Sequence, residues 1–290
     1  MSSAAPAGRP GGDQAYCGGG LPCGDEGHRR AGSQPGAPLI ELHGVEHRYL
    51  TDAGDVVYAL DDVELEIPQG QFVCVVGPSG CGKTTLLKLL AGFQQPTSGE
   101  VRVHGELVKG PSARRGVVFQ QPNLYPWFTV QENVAFGLRL QRMRKAERRR
   151  VAEGFLGLVG LQDFTEAKPY ELSGGMQQRT QIARVLATNP EVILMDEPFG
   201  ALDALTRERL QTDLLALQRR QRNTIFFITH SVDEAIFLGD RVLVMSPRPG
   251  RVVLDQQIDL STVAGKELGP EMRALPEFGA LREKISAAIE

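Results

Sequence analysis

The chain has 290 residues, 41% hydrophobic and 23% charged, the balance of a globular chain with enough apolar material for a sizeable core. Its apolar runs fall far short of the about 18–20 residues that span a bilayer, and its N-terminus lacks the roughly 7–15-residue apolar stretch of a secretory signal, which predicts retention in the cytoplasm. A net charge of −3, from 32 basic and 35 acidic residues, gives no global field to hold a polyanion; this weighs against nucleic acid as the main ligand and leaves small phosphates open.

Residues 1–38 hold ten glycines and five prolines with almost no large apolar side chain, so burial there cannot offset the entropy of ordering the backbone, and a disordered leader is expected. Cys17, Cys23 and His28 lack a fourth ligand and a surrounding core, and are read as an unliganded tail. With Cys74 and Cys81 they show no repeated spacing, so a disulfide framework is not expected. Residues 39–253 form the expected folded body, with 254–290 as a short, partly helical extension. Short β-rich runs at 72–76, 116–119, 192–195, 224–229 and 241–245 alternate with helix-length segments, the pattern of an α/β fold with helices on both faces of a parallel sheet.

One segment, about 129–168, breaks that alternation. Val134, Phe136, Leu138, Leu140, Phe155, Leu156, Leu158 and Val159 sit there among many charges, which predicts a helical subdomain inserted in the body. Its basic run (Arg142, Arg144, Lys145, Arg148, Arg149, Arg150) is read as a solvated helix face rather than a lipid or nucleic-acid patch. Arg219, Arg220 and Arg222 close a later helix, where cations suit the dipole.

The chemistry concentrates in three places. The strand at 72–76 runs into Gly77-Pro78-Ser79-Gly80-Cys81-Gly82-Lys83-Thr84, followed by Thr85 and the apolar helical residues Leu86, Leu87, Leu89 and Leu90: a Walker A sequence in its required context. Glycines let backbone N–H groups turn toward a polyphosphate, and the helix start beyond them presents unpaired donors. Lys83 supplies the point charge for the β- and γ-phosphates, Thr84 a hydroxyl for Mg²⁺, and Thr85 lies nearer the α-phosphate. The strand at 192–195 delivers Asp196, for the metal shell, and Glu197, to polarise the attacking water; phosphoryl transfer needs positioning and charge stabilisation more than covalent help. Between them Leu172-Ser173-Gly174-Gly175-Met176 opens a helix, where the Ser173 hydroxyl and the amides of Gly174 and Gly175 form a second anion-binding end.

In this order the motifs closely resemble the ATP-binding subunits of ABC transporters over about residues 39–253. The resemblance implies a P-loop NTPase core of ABC ATPase type, with the helical subdomain and an antiparallel β part near the N-terminus. It implies ATP and Mg²⁺ at a site shared by two subunits, the Ser173-Gly174-Gly175 signature of one closing over the γ-phosphate held by the other. Gln120 matches the Q-loop glutamine that reaches metal and water. Gly200-Ala201-Leu202-Asp203 matches the D-loop that communicates across the dimer, and His230 matches the switch histidine. Tyr49 looks like the aromatic that stacks on adenine, with Tyr58 as an alternative because the 51–56 stretch is longer than usual. Alone, Tyr49 would be an ordinary strand aromatic and His230 a neighbour of the helix-capping Ser231; the company of the other motifs decides for function.

The apolar loop from Pro122 to Phe128, with Tyr125 and Trp127, is either packing for the helical insertion or a docking surface, and in ABC importers this region receives a permease helix. Together with the stretches 129–138 and 198–203 and the run Ser246-Pro247-Arg248-Pro249-Gly250-Arg251, it resembles the nitrate, sulfonate and taurine importer group. Tyr125 stands where Leu is expected and Met176 where glutamine is commoner, without removing a catalytic group. The resemblance implies a second ATPase subunit, two transmembrane permease subunits and an extracytoplasmic solute-binding protein, with this chain peripheral on the cytoplasmic face. The competing reading is an ABC-type ATPase acting on nucleic acid or the ribosome without a permease; the long coiled coils or paired cassettes that go with it are absent from the sequence. A third, a catalytically weak nucleotide-gated module, is opposed by intact Lys83, Asp196, Glu197 and His230.

Overall fold

The computed structural model describes residues 38–52, 54–260 and 270–289. The expected leader, with Cys17, Cys23 and His28, lies outside the described residues except for Pro38, which opens the first strand.

Two 13-residue strands, β1 (Pro38–Leu50) and β2 (Val56–Pro68), pair antiparallel. With β4 (Ser98–Val103) and β5 (Glu106–Leu107) they form a sheet ordered β2-β1-β4-β5. Along β2 buried and exposed residues alternate, as expected where one face packs inward and the other meets water. The second sheet is ordered β10-β9-β3-β8-β7-β6, from β3 (Phe72–Val76), β6 (Arg115–Val118), β7 (Val192–Asp196), β8 (Thr224–Ile228), β9 (Arg241–Met245) and β10 (Val252–Gln257). All its neighbours are parallel except β10 on β9. Strands β3, β7 and β8 are buried at every position, because both faces of the sheet are covered.

The period of two divides these strands between two cores. Val73, Val75, Leu194, Phe226 and Ile228 face helix α1 (Lys83–Ala91) and the antiparallel sheet. Phe72, Cys74, Ile193, Met195, Ile225 and Phe227 face the other way. The helices on that side are α2 (Val130–Leu140), α3 (Lys145–Leu158), α4 (Gly174–Ala187), α5 (Ala204–Gln221), α6 (Val232–Leu238) and α7 (Pro276–Ala287).

Helices α2, α3 and α4 pack on one another. α2 begins where Thr129 and Glu132 form a reciprocal capping box, which satisfies two backbone donors at the helix start. No strand falls within 129–168.

The end of the body lies beyond residue 253. β10 runs through that point, and Phe278 and Ile285 of α7 are fully buried in the same core as Phe237 and Leu238 of α6. β10 is an edge strand whose residues alternate part-buried with exposed, so Asp255, Gln256 and Gln257 masked it as polar sequence. Arg241 pairs with Asp255 across β9 and β10. No helix among the described residues is long and apolar enough to cross a membrane.

Candidate functional site

The loop from Gly77 to Gly82 leaves the C-terminal end of β3 and enters α1, the position where an open α/β sheet presents its ligand site. Gly82 is the N-cap of α1 at φ 100°, a left-handed conformation suited to glycine, and its lack of a side chain leaves the first turn of α1 uncapped. The loop is pressed into shape from outside. A Cβ on Gly82 would stand 2.7 Å from the Ala59 carbonyl oxygen of β2, and one on Gly250 only 1.9 Å from the Cys81 carbonyl oxygen. Arg248 Nε donates to the Gly80 carbonyl at 3.3 Å, and Arg251 pairs with Asp61 of β2. The run 246–251 thus braces the phosphate loop, a contact that in sequence stood only as part of a family pattern.

Lys83 is buried, with its ammonium donating to the carbonyls of Gly77 at 2.7 Å and Pro78 at 2.9 Å, so the charge is held along the loop. The Thr84 hydroxyl donates to Asp196 Oδ2 at 3.0 Å. These two groups, on α1 and at the end of β7, supply hard oxygen atoms on one edge of the loop, a donor set that suits Mg²⁺. Burial raises the pKa of Asp196 above its ordinary value; the Thr84 hydrogen bond opposes the shift and the Glu197 charge adds to it.

Glu197 sits one residue beyond β7 in a left-handed backbone conformation, φ 45°, rare for a side chain of this kind and typical of residues held in place by function. Its amide donates to the Ile228 carbonyl at 3.0 Å, which fixes that turn on β8. Glu197 Oε2 accepts from Gln120 Nε2 at 3.1 Å and lies 3.5 Å from His230 Nδ1. The ends of β6, β7 and β8 thus bring Gln120, Glu197 and His230 to one carboxylate oxygen, beside Asp196.

Tyr49 is tied to the same region: its hydroxyl lies 3.2 Å from Thr85 Oγ1 and donates to Gln94 Oε1 at 3.0 Å. Tyr58 is half exposed on β2.

The signature residues gather elsewhere. Ser173 caps α4, its hydroxyl oxygen accepting from the Met176 amide, and a Cβ on Gly175 would meet the Ala201 carbonyl oxygen at 3.1 Å. A Cβ on Gly174 would meet nothing within 4 Å. Asp203 caps α5, and the hydrogen bond from the Thr206 amide holds its carboxyl below the usual range. Ser173, Gly174, Gly175 and Asp203 therefore form a second cluster, joined to the first through α4. Gln178 and Gln181, both buried in α4, donate to the Phe119 carbonyl at 3.2 and 2.7 Å, and Gln181 Oε1 accepts from the Asn123 amide. This grip on the Gln120 turn was missed in sequence; the available signal was two glutamines three apart on the face that α4 buries.

The apolar loop divides its residues. Tyr125, Phe128 and Phe136 pack ring against ring, and the fully buried Asn133 fixes the loop by accepting from the Tyr125 amide and donating to the carbonyls of Tyr125, Phe128 and Thr129. Trp127 stays 67% exposed.

The family model described as ABC transporter matches residues 60–200. An uncharacterised ABC transporter ATP-binding protein of Methanocaldococcus jannaschii is 53% identical over 80% of this chain and 84% of its own. A taurine import ATP-binding protein of Roseobacter denitrificans is 48% identical over 85% and 92%. Among solved structures, a dimeric ATP-binding cassette in a post-hydrolysis state with ADP and phosphate aligns over 76% of this chain and 99% of its own, with TM-score 0.71 and 35% identity.

Proposed function

The chain belongs to the ABC transporter family as one of its ATP-binding, ATP-hydrolysing subunits, and we propose that two copies enclose ATP at paired sites to power uptake of a small solute of the nitrate, sulfonate or taurine type. The observation that carries the hydrolytic part is the convergence of Gln120 and His230 on one oxygen of Glu197, beside the buried Asp196. In this reading the uncapped start of α1 and the Lys83 ammonium bind the β- and γ-phosphates. Thr84, Asp196 and Gln120 hold Mg²⁺, which neutralises charge on the phosphate oxygens. Glu197 orients and polarises the attacking water, Gln120 fixes the carboxylate that does so, and His230 contacts the γ-phosphate. Tyr49 rather than Tyr58 carries the adenine ring, since its hydroxyl is anchored on α1 and Gln94. Ser173, Gly174, Gly175 and Asp203 complete the site of the opposite copy.

The transport part rests on the relatives named for taurine import and on Trp127, an exposed aromatic on a loop locked by Asn133, two residues beyond the Tyr125 that continues from Gln120. That surface would receive the permease, with an external binding protein delivering the solute and this subunit peripheral on the cytoplasmic face. β10 and α7 act with the rest of the described residues as one ATPase body. No observation favours the nucleic-acid or ribosome reading.

Glu197→Gln tests the hydrolytic assignment. Turnover should fall by about 10²–10⁴ while ATP still binds; unchanged turnover would remove Glu197 from its role. The same variant, purified in mild detergent from native cells with ATP and Mg²⁺, should retain a multi-span membrane protein, identified by mass spectrometry. Recovery of ribosomal or DNA-repair proteins instead would overturn the transport reading and leave the ATPase standing.

A further inference from the structure

The switch loop is wired to the C-terminal segment through buried polar groups that phosphate chemistry does not use. Thr229, at the end of β8, donates its hydroxyl hydrogen to Glu234 Oε2 and accepts from the Ser231 amide at 3.0 Å, while the Glu234 amide donates to Ser231 Oγ. His230 is the residue enclosed by that ring. The other carboxylate oxygen of Glu234 accepts from Gln211 Nε2 of α5 at 2.8 Å. Gln211 Oε1 in turn accepts from Arg273 Nη2 at 3.0 Å. Arg273 precedes α7, pairs with Glu208 at 2.9 Å and places its guanidinium carbon 4.8 Å from the Phe237 ring centroid.

Thr229 is 2%, Gln211 1% and Glu234 9% exposed. A carboxylate this deep is costly unless hydrogen-bonded, and an apolar residue would pack α6 against its neighbours without that cost. What the carboxylate adds is direction: it fixes the Thr229 hydroxyl, and so the backbone of 229–231, against α5. Among the described residues the His230 side chain approaches Glu197, with most of its surface exposed. Its placement therefore depends on the rigidity of the backbone on either side.

We propose that Glu234 is a positioning residue for His230, acting through Thr229 and Ser231, and that Arg273 of the C-terminal segment sets its purchase through Gln211. This rests on the reading of His230 as the γ-phosphate contact. The C-terminal segment then sets the turnover of an ATP site it does not touch, as coupling through a packed polar network allows.

The test is single-turnover ATP hydrolysis by the full-length chain with Mg²⁺, comparing His230→Ala, Glu234→Gln, Arg273→Ala and the doubles with His230→Ala. Glu234→Gln keeps the size of the side chain but reverses the bond to Thr229: with its oxygen on Gln211 its amide must donate to the Thr229 hydroxyl, which loses the carboxylate that fixed its hydrogen. It should lower the hydrolysis rate by about 10²-fold with ATP affinity unchanged, the scale of a small misplacement of a catalytic group. Arg273→Ala should lower it by about 2- to 30-fold. Neither change should cost anything further in the His230→Ala background, because both act through that side chain. A merely structural role would give the same fractional loss in both backgrounds, and that additivity overturns the proposal, as does a normal rate in Glu234→Gln and Arg273→Ala. If Glu234→Gln does not fold, Arg273→Ala on its part-exposed segment decides by the same cycle. If instead His230→Ala alone retains full activity, the reading of His230 fails first and takes the proposal with it, a different outcome from loss of activity at His230 with none at Glu234 or Arg273.

Discussion

Asp196, proposed above to hold Mg²⁺, carries a charge that the fold resists. Burial is the largest influence on it and raises its pKa, Glu197 raises it further, and Thr84 and Lys83 pull it down by less. The native state therefore binds this proton more tightly than the unfolded chain does. Linkage fixes the sign: the destabilisation from ionised Asp196 is fully present above its folded pKa and fades as pH falls through that value toward the ordinary carboxylate range. Asp196→Asn should accordingly raise the melting temperature of the nucleotide-free, metal-free protein at neutral pH, with the advantage shrinking in mildly acidic buffer. Mg²⁺-dependent turnover should fall by about 10²-fold or more, since a hard oxygen ligand is lost. Thermal melts at two pH values together with an ATPase assay check both halves. A lower melting temperature at neutral pH would show that the carboxylate supports the fold rather than straining it.

At the scale of elements, α4 is the part that links separate motifs. Its N-terminus carries Ser173, Gly174 and Gly175, and its buried face holds the Phe119 carbonyl and the Asn123 amide on either side of Gln120. Gln181→Leu would remove the acceptor of the part-buried Asn123 amide and one donor to the Phe119 carbonyl, each an ordinary hydrogen bond worth about 0.5–1.5 kcal/mol. The expected result is a lowered urea midpoint at unchanged slope, equivalent to that loss of stability; a midpoint equal to the parent's would mean that the turn is held by Gln178 and by Arg184, whose Nη1 donates to the Asn123 carbonyl at 2.7 Å. The loop motifs were legible in sequence because their residues are contiguous: Gly77 to Thr85, Ser173 to Gly175, and Asp196 beside Glu197. The buried strands were legible because two covered faces demand an unbroken apolar run. What escaped was set by contacts across the chain. Gln178 and Gln181 reach Phe119 over separations of 59 and 62 positions, and Arg273 reaches Gln211 over 62. β10 escaped because an edge strand may be polar on alternate residues; a partly helical extension was expected where α7 lies, but its docking in the core was not, because Phe278 and Ile285 are seven apart amid charges.

At the scale of the molecule, the two clusters proposed as half-sites are carried by different helices. α1, which carries the phosphate loop, packs on β2, β6, β7 and β8, whereas α4 packs on α2, α3 and β6. The Ser173 end of α4 leans on the 200–203 loop, and the space beside Gly174 is open. Two helix starts with glycine amides are each ready for an anion, yet within one chain they sit on different blocks of the fold. In the proposed reading a second copy related by a two-fold axis would satisfy both at once, each signature meeting the other copy's phosphate loop, so that one nucleotide would be bound by two chains. Such a dimer should form only with nucleotide, because the phosphates are the shared charge that both helix ends bind. Glu197→Gln, which binds ATP without consuming it, should therefore sediment at 31.6 kDa alone and at twice that mass with ATP and Mg²⁺. Gly174→Glu should keep ATP binding at the intact phosphate loop but abolish both the mass change and turnover, since a carboxylate in the open space repels the γ-phosphate of the other copy. A Gly174→Glu protein that still hydrolyses ATP as a monomer would mean that one phosphate loop with Glu197 suffices, and the two-copy site would be wrong.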